Sequence, residues 1–322
     1  MDATQPTRRR SAAGTSTMAL VVLLLLCASA AVTACGGTST AASSSPSATT
    51  AAPVTSPSIV PAAEPVSKWD APGSAPLAQT QTTTRRYAAA LGAEKIPEAG
   101  LYASDATWDY APSDMHVDGV KEIEGIYRDA SSSVDWPKRN HLLAAPGAGV
   151  CEGMTKFYGT STTPSLVLLA VDGNKVTHEE IFLNEGVAGP VRYGVSVPGP
   201  KDTAKVAAKV GAAVGDAFAS GDRAAMQALV APGVLFRDTT LPRGGRGWDA
   251  LLAWWDKVPA VTLENGKQIS GPGWAVGRWT IRRVFSTGVE LALPGASVME
   301  VRNGKVVRMT LYYNSSVMRL QT

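Results

Sequence analysis

The sequence predicts an α+β chain of two tandem domains, each with about three helices packed on one face of a curved, mostly antiparallel sheet. Two observations carry that expectation: the chain repeats itself, and in each repeat helical periodicity comes first and strand periodicity follows. Sliding the 322-residue sequence by 128 positions lays Leu101 on Leu229, Trp108 on Phe236, Gly119 on Gly247, Ile123 on Leu251 and Tyr127 on Trp255 without a gap. Towards the end of each repeat a slide of 130 lays Val171, Lys175, Val176 and Asn184 on Val301, Lys305, Val306 and Asn314, with Phe182 on Tyr312. The domains are therefore placed at residues 80–188 and 203–318, joined by a linker at 189–202.

The second repeat gives the clearer order of elements. Residues 204–219 alternate apolar and small side chains at helical spacing, Gly221-Asp222 breaks the run, and 223–230 reads as another short helix. A short strand is expected at 234–237. After Gly244-Gly245, residues 248–258 return to the helical period and set Leu251, Leu252, Trp254 and Trp255 round an apolar face. Strands are then predicted at 261–269, 274–284, 289–301 and 305–313, with Asn303-Gly304 as a hairpin turn between the last two. Asp172-Gly173-Asn174 stands at the matching turn of the first repeat.

Ahead of the repeats lies a different kind of sequence. Arg8, Arg9 and Arg10 form a basic start, and residues 18–34 form an apolar run that ends in small residues, the layout of an export signal at 1–34. Val32-Thr33-Ala34-Cys35 resembles the lipobox of bacterial lipoproteins, which implies cleavage before Cys35 and acylation of its thiol. Diacylglycerol and an N-acyl chain such as palmitate bury about 0.8 kcal/mol per methylene, enough to hold a protein on a membrane without a spanning helix. The expected location is the extracytoplasmic face of the cell membrane. Residues 38–84 are rich in Ala, Ser, Thr and Pro, with seven prolines and only Glu64, Lys68 and Asp70 charged. Such a composition cannot offset its ordering entropy and reads as a tether, assigned to 35–79.

Composition removes several function classes. Taking off residues 1–34 removes three basic residues and one acidic residue, and a formal net charge of +3 becomes +1. No clustered basic footprint remains, so nucleic acid is not an expected partner. Of three cysteines only Cys151 lies in the folded part, which precludes an intramolecular disulfide there. His116, His141 and His178 are too widely spaced for a recognisable metal motif, and His178-Glu179-Glu180 lacks the second histidine of a zincin. No Gly-x-Ser-x-Gly elbow occurs. Neither a metal nor a cofactor is expected.

The run from Phe218-Ala-Ser-Gly-Asp222 through Leu235-Phe-Arg-Asp238, Gly247-Trp-Asp-Ala-Leu251 and Asn303-Gly-Lys-Val-Val307 resembles the SnoaL-like and ketosteroid-isomerase-like branch of the NTF2-like superfamily. The resemblance covers nearly all of the second repeat and, more weakly, 80–188. It implies cone-shaped domains with a deep pocket, in a superfamily that holds isomerases, polyketide cyclases, dehydratases and proteins without known catalysis. It also implies that Asp238, just after the first short strand, takes the place of the carboxylate that removes a proton alpha to a carbonyl. The family's helix-one tyrosine falls at Val214 or Gly215, and its neutral acid falls near Ser297, so the oxyanion donors are missing. In the first repeat Tyr87 matches the tyrosine, but Tyr110 stands where the base belongs, with Asp109 one residue off and facing the other side of its strand.

The ligand-pocket candidates are Tyr87, Trp108, Tyr110, Phe236, Trp255, Trp279, Tyr312 and Asn314, with core filling as the alternative reading of the aromatics. The favoured reading is a lipid-anchored, non-catalytic protein whose domains bind a small apolar ligand or an envelope protein. The alternative is an isomerase or cyclase that uses Asp238 as general base. A third is an assembly module with filled pockets. The two repeats are also expected to be able to pack on each other sheet to sheet.

Overall fold

The computed structural model describes residues 72–113, 115–130, 134–135, 141–157, 162–184, 199–240, 244–256, 262–284, 288 and 290–314. Residues 1–71, on which the expected export signal, the Cys35 lipidation site and most of the expected tether fall, lie outside the described residues, as does most of the expected linker. No described helix is long and apolar enough to cross a membrane.

The first domain opens with α1 (Leu77–Gly92), β1 (Tyr102–Tyr110), β2 (Met115–Asp118) and α2 (Val120–Ala130). It continues with β3 (Val134–Asp135), β4 (His141–Ala145), β5 (Ala148–Phe157), β6 (Thr162–Asp172) and β7 (Lys175–Leu183). The second domain has α3 (Ala204–Ser220), α4 (Arg223–Leu229), β8 (Val230–Asp238), β9 (Gly245–Arg246) and α5 (Trp248–Trp255). Its meander is β10 (Thr262–Gly271), β11 (Trp274–Val284), β12 (Glu290–Arg302) and β13 (Lys305–Tyr313). The chain is therefore an α+β fold of two tandem domains.

Tether composition extends to Thr84, yet α1 already begins at Leu77. Tertiary contact overrides composition here. Thr80, Thr83 and Thr84 are buried, and the Thr80 and Thr84 hydroxyls donate to the carbonyls of Pro76 and Thr80 at 3.1 and 2.7 Å. The chain is held further upstream as well, where Gly73 N–H donates to Gly147 O at 2.9 Å and Ala75 N–H to Val171 O at 3.0 Å.

Local signals explain the helix ends of the second domain. Thr203 and Asp222 accept from the N–H groups of Val206 and Ala225, capping α3 and α4, and Gly221 ends α3 in the left-handed region at φ 70°. At the last hairpin Asn303 and Gly304 both have positive φ, 52° and 68°, as a tight turn between twisted strands requires.

The duplication is visible in the backbone. The sheets run β2-β1-β7-β6-β5-β3, with β4 also paired to β5, and β10-β11-β12-β13-β8-β9. In each, one parallel pair joins the first strand to the last, β1 to β7 and β8 to β13, and the remaining pairs are antiparallel. Gly119 N–H donates to Ala106 O and Gly247 N–H to Val234 O, both at 2.8 Å, and these are equivalent positions at the 128 offset.

Each sheet has two buried faces. One packs under its own helices, with Leu91, Ile123, Val167 and Ile181 in the first core and Val210, Leu251, Met299 and Leu311 in the second. The other faces meet each other. Val150, Leu166, Leu168 and Phe182 of the first sheet share a core with Val276, Ala296, Val298 and Tyr312 of the second. Fully burying a Leu or Phe is worth about 1.5–3 kcal/mol, so this shared core couples the two domains.

Candidate functional site

The interior of the first domain is filled by a polar knot. Tyr87 comes from α1, Tyr102 from β1 and Tyr127 from α2, and all three point at Glu179 on β7, which has no exposed surface. The Tyr87 hydroxyl donates to Glu179 Oε1 at 2.6 Å, Tyr127 donates to the same oxygen, and Tyr102 donates to Oε2. The Tyr87 and Tyr127 hydroxyls lie 3.1 Å apart. Burial, and next the Glu179 charge, push all three phenols well above their ordinary range, so they stay protonated and serve as donors. Trp108 is buried beside them and stacks on the half-buried Tyr110, ring centroids 5.9 Å apart.

The second domain has a hollow in the corresponding place, a cavity of about 40 Å³. By this measure one water centre needs about 10–15 Å³, so the space takes a few waters or a small fragment. The helix side is Gly211, Val214, Gly215 and Phe218 of α3 with Trp254 of α5, and the sheet side includes Gly277, Trp279, Ile281, Ser297, Met299 and Leu311. The repeat offset explains the difference between the interiors: Tyr87, Tyr102, Tyr127 and Glu179 become Gly215, Val230, Trp255 and Met309.

Asp238 lies next to this hollow without lining it. It is 2 % exposed, at the end of β8 and in register with Leu311 of β13. Its Oδ1 accepts from Thr240 N–H at 2.8 Å, and its Oδ2 accepts from the Tyr313 hydroxyl at 2.9 Å. The Tyr313 ring meets Trp279 edge-on at 5.6 Å, and Trp279 is a wall of the hollow. Burial raises the Asp238 carboxyl above its usual range, against the opposing pull of the Thr240, Tyr313 and Trp254 hydrogen bonds. Tyr313 is raised by burial and then by the Asp238 charge. The pair can accept and return a proton close to an apolar space.

The sequence-derived candidates fall in different places. Trp279 lines the hollow. Phe236 and Trp255 stand one layer out, Phe236 on Trp254 at 5.6 Å and Trp255 on Phe218 at 4.8 Å. Tyr87, Trp108 and Tyr110 belong to the filled first domain. Asn314, just past β13, is 2 % exposed and away from the cavity lining. Asp109 faces away from Trp108 and Tyr110 and bonds His116 at 2.5 Å.

Tyr312 requires a correction: it faces the first sheet, and Tyr313 takes the inward place. Strand alternation counted from the hairpin, starting at the inward Val306, points Tyr312 inward. Between Val306 and Arg308 the register slips, as it does on β12 between Glu300 and Val301, so the inward set becomes Met309, Leu311 and Tyr313. A sequence signal for this existed, because Arg308 and Thr310 share the parity of Tyr312 while Met309 and Leu311 are apolar. Glu179, Tyr102 and Tyr127 are not among the sequence-derived site candidates, since nothing in a single sequence joins three distant tyrosines to one strand carboxylate. Among the described residues no group of three or more His, Cys, Asp or Glu side chains has metal-holding geometry.

With helix, hollow and Asp238 in this arrangement, a family match falls in the second domain. Residues 212–309 match the SnoaL-like domain. The SnoaL-like match runs from mid-α3 into β13 and takes in the lining of the hollow except Gly211 and Leu311. Among solved structures, an NTF2-like protein of unknown function from Burkholderia pseudomallei is 22 % identical, with 36 % of this chain and 98 % of that one covered and a TM-score of 0.33. A second, from Mesorhizobium loti, is 21 % identical, with 35 % and 95 % covered and a TM-score of 0.31. A third, with a ketosteroid isomerase-like fold and crystallised with trimethylamine, comes from Catenulispora acidiphila; it is 17 % identical, with 35 % and 91 % covered and a TM-score of 0.31. No curated protein matches the chain.

Proposed function

We propose that this chain is a lipid-anchored extracytoplasmic protein whose SnoaL-like second domain binds a small, largely apolar molecule, with the first domain as its fixed support. The observation that carries the reading is the glycine-walled hollow beneath Trp279 and Trp254, in a repeat whose counterpart is filled by Tyr87. Native mass spectrometry of the chain from residue 72 onward tests it. A retained small molecule that is lost in Trp279→Ala supports the reading. Failure to retain any molecule, together with failure of small aromatic fragments to perturb the Trp279 and Met299 resonances, overturns it.

Attachment through Cys35 rests on the lipobox-like Val32-Thr33-Ala34-Cys35 and the apolar run before it. Changing Cys35 to Ala is expected to move the protein from the membrane to the soluble fraction, and an unchanged membrane fraction counts against the anchor.

A second reading, an isomerase or cyclase with Asp238 as general base, is favoured by one contact, the Tyr313 hydroxyl 2.9 Å from the carboxylate. Turnover of a cyclic enone that disappears in Asp238→Asn while the fold persists would establish it in place of simple binding.

A further inference from the structure

The faces that the two sheets turn towards each other differ in charge at equivalent positions. Glu152, Leu166 and Phe182 lie side by side across β5, β6 and β7, and Arg278, Ala296 and Tyr312 lie side by side across β11, β12 and β13. Leu166 and Phe182 correspond to Ala296 and Tyr312 at the 130 offset, so Glu152 and Arg278 occupy one position of the repeat. By the same offset His178 corresponds to Arg308, and Glu180 to Thr310.

Among the described residues, two carboxylate–guanidinium contacts cross between the domains. Arg308 donates to both oxygens of Glu152, at 2.8 and 3.3 Å, and the Tyr312 hydroxyl donates to Glu152 Oε1 at 2.7 Å. Arg278 donates to Glu180 at 2.7 Å. Both contacts are shielded from water: side-chain exposure is 7 % for Arg308, 0 % for Glu152, 12 % for Arg278 and 2 % for Glu180.

The same geometry can be applied to like domains. Two first domains paired this way would set Glu152, in the place of Arg278, against Glu180. Two second domains would set Arg278, in the place of Glu152, against Arg308. Each pairing so holds one like-charge contact in a water-poor face, beside a second contact free of like-charge repulsion (Glu152 to His178, or Arg278 to Thr310), and one buried like-charge contact suffices to disfavour the wrong partner.

We infer that the two domains carry a heterotypic pairing code, in which Glu152 and Glu180 of the first face meet Arg308, itself also held by Glu300, and Arg278 of the second, and that this code joins them to each other and closes both faces to a second copy of this chain. The partner this code fits is a domain with the complementary charges at these positions, supplied here within the same chain.

Sedimentation velocity on the full chain, produced without lipid, tests it. The wild type is expected to be a monomer of 33.5 kDa at all concentrations. Arg278→Glu removes the contact with Glu180 and gives the second domain a face able to meet Arg308 of another copy. It should lower Tm by about 5–10 °C and produce a concentration-dependent dimer. The exchange E180R/R278E should restore the monomer and most of the lost Tm. A wild-type dimer, an Arg278→Glu chain as stable and monomeric as wild type, or an exchange no better than the single change would each overturn the inference. Should Arg278→Glu fail to fold, the neutral pair decides: Arg278→Gln and Glu180→Gln are expected to lose less together than the sum of their separate losses, and strictly additive losses reject the coupling.

Discussion

Tyr87 and Gly215 hold the same place on the first helix of the two domains, and the side chain missing at Gly215 is one of the differences that leave the second interior hollow. Tyr87 is fully buried and reaches Glu179 at 2.6 Å, whereas Gly215 leaves its space as part of the wall of a cavity of about 40 Å³.

Refilling that space should end binding without ending the fold. Gly215→Leu is expected to abolish retention of an apolar molecule, and the helical gain of about 1 kcal/mol over glycine should offset part of any crowding. Native mass spectrometry beside a thermal melt checks both halves, and a variant that still retains the molecule contradicts the proposed site.

The polar knot of the first domain should be costly to open. Tyr87→Phe leaves the ring and removes one donor to a buried carboxylate, a loss of about 1.5–3 kcal/mol, while Tyr87→Ala also leaves a cavity and should cost about 3–5 kcal/mol. Urea unfolding gives both numbers. Equal losses for the two variants would mean that the hydroxyl carries the whole effect.

Asp238 should leave a mark on stability as a function of pH. Its carboxyl is raised in the folded chain, so the folded state holds the proton more tightly than the unfolded state does. Stability therefore declines as pH rises from the unfolded value, about 3.9, through the raised folded value, and is level above it. Asp238→Asn should remove that slope, with denaturation midpoints compared from pH 4 upward. Parallel curves for wild type and variant would contradict the assignment.

Glu152 should act in the opposite direction. Fully buried, it is held down to about 2 by the Arg308 guanidinium, helped by the His141 and Arg308 hydrogen bonds, and these outweigh its burial. Its contribution is complete above the unfolded carboxyl value near 4.3 and is lost as pH falls towards about 2. Glu152→Gln should cost about 3–5 kcal/mol at neutral pH, because Arg308 keeps its charge in a buried place, and the penalty should shrink in acid. Acid titration of the two proteins, followed by tryptophan fluorescence, reads this.

Much of the second domain was legible from local signals. The strands at 274–284 and 305–313 agree with β11 and β13 residue for residue, since Gly273, Asn303 and Gly304 impose turns that no neighbour can displace. The predicted helix at 248–258 ends at Trp255, with Asp256 as its C-terminal cap, and the strand expected from Val234 begins at Val230, because its extra length comes from pairing with β13. The site was less legible. Asp238 was named through the family resemblance and Trp279 as one aromatic among several, but the choice between Tyr312 and Tyr313 turned on a register slip that a count along one strand does not contain.

The sequence by itself determined the repeat, the order of helices and strands, the turns and the lipobox-like start, because each depends on the character of residues close together along the chain. Only the tertiary structure decided which interior is filled, that Tyr313 and not Tyr312 meets Asp238, and that Glu152 lies against Arg308. Those relations join residues that are distant in sequence, and burial, register and charge select among them only once both sheets are packed.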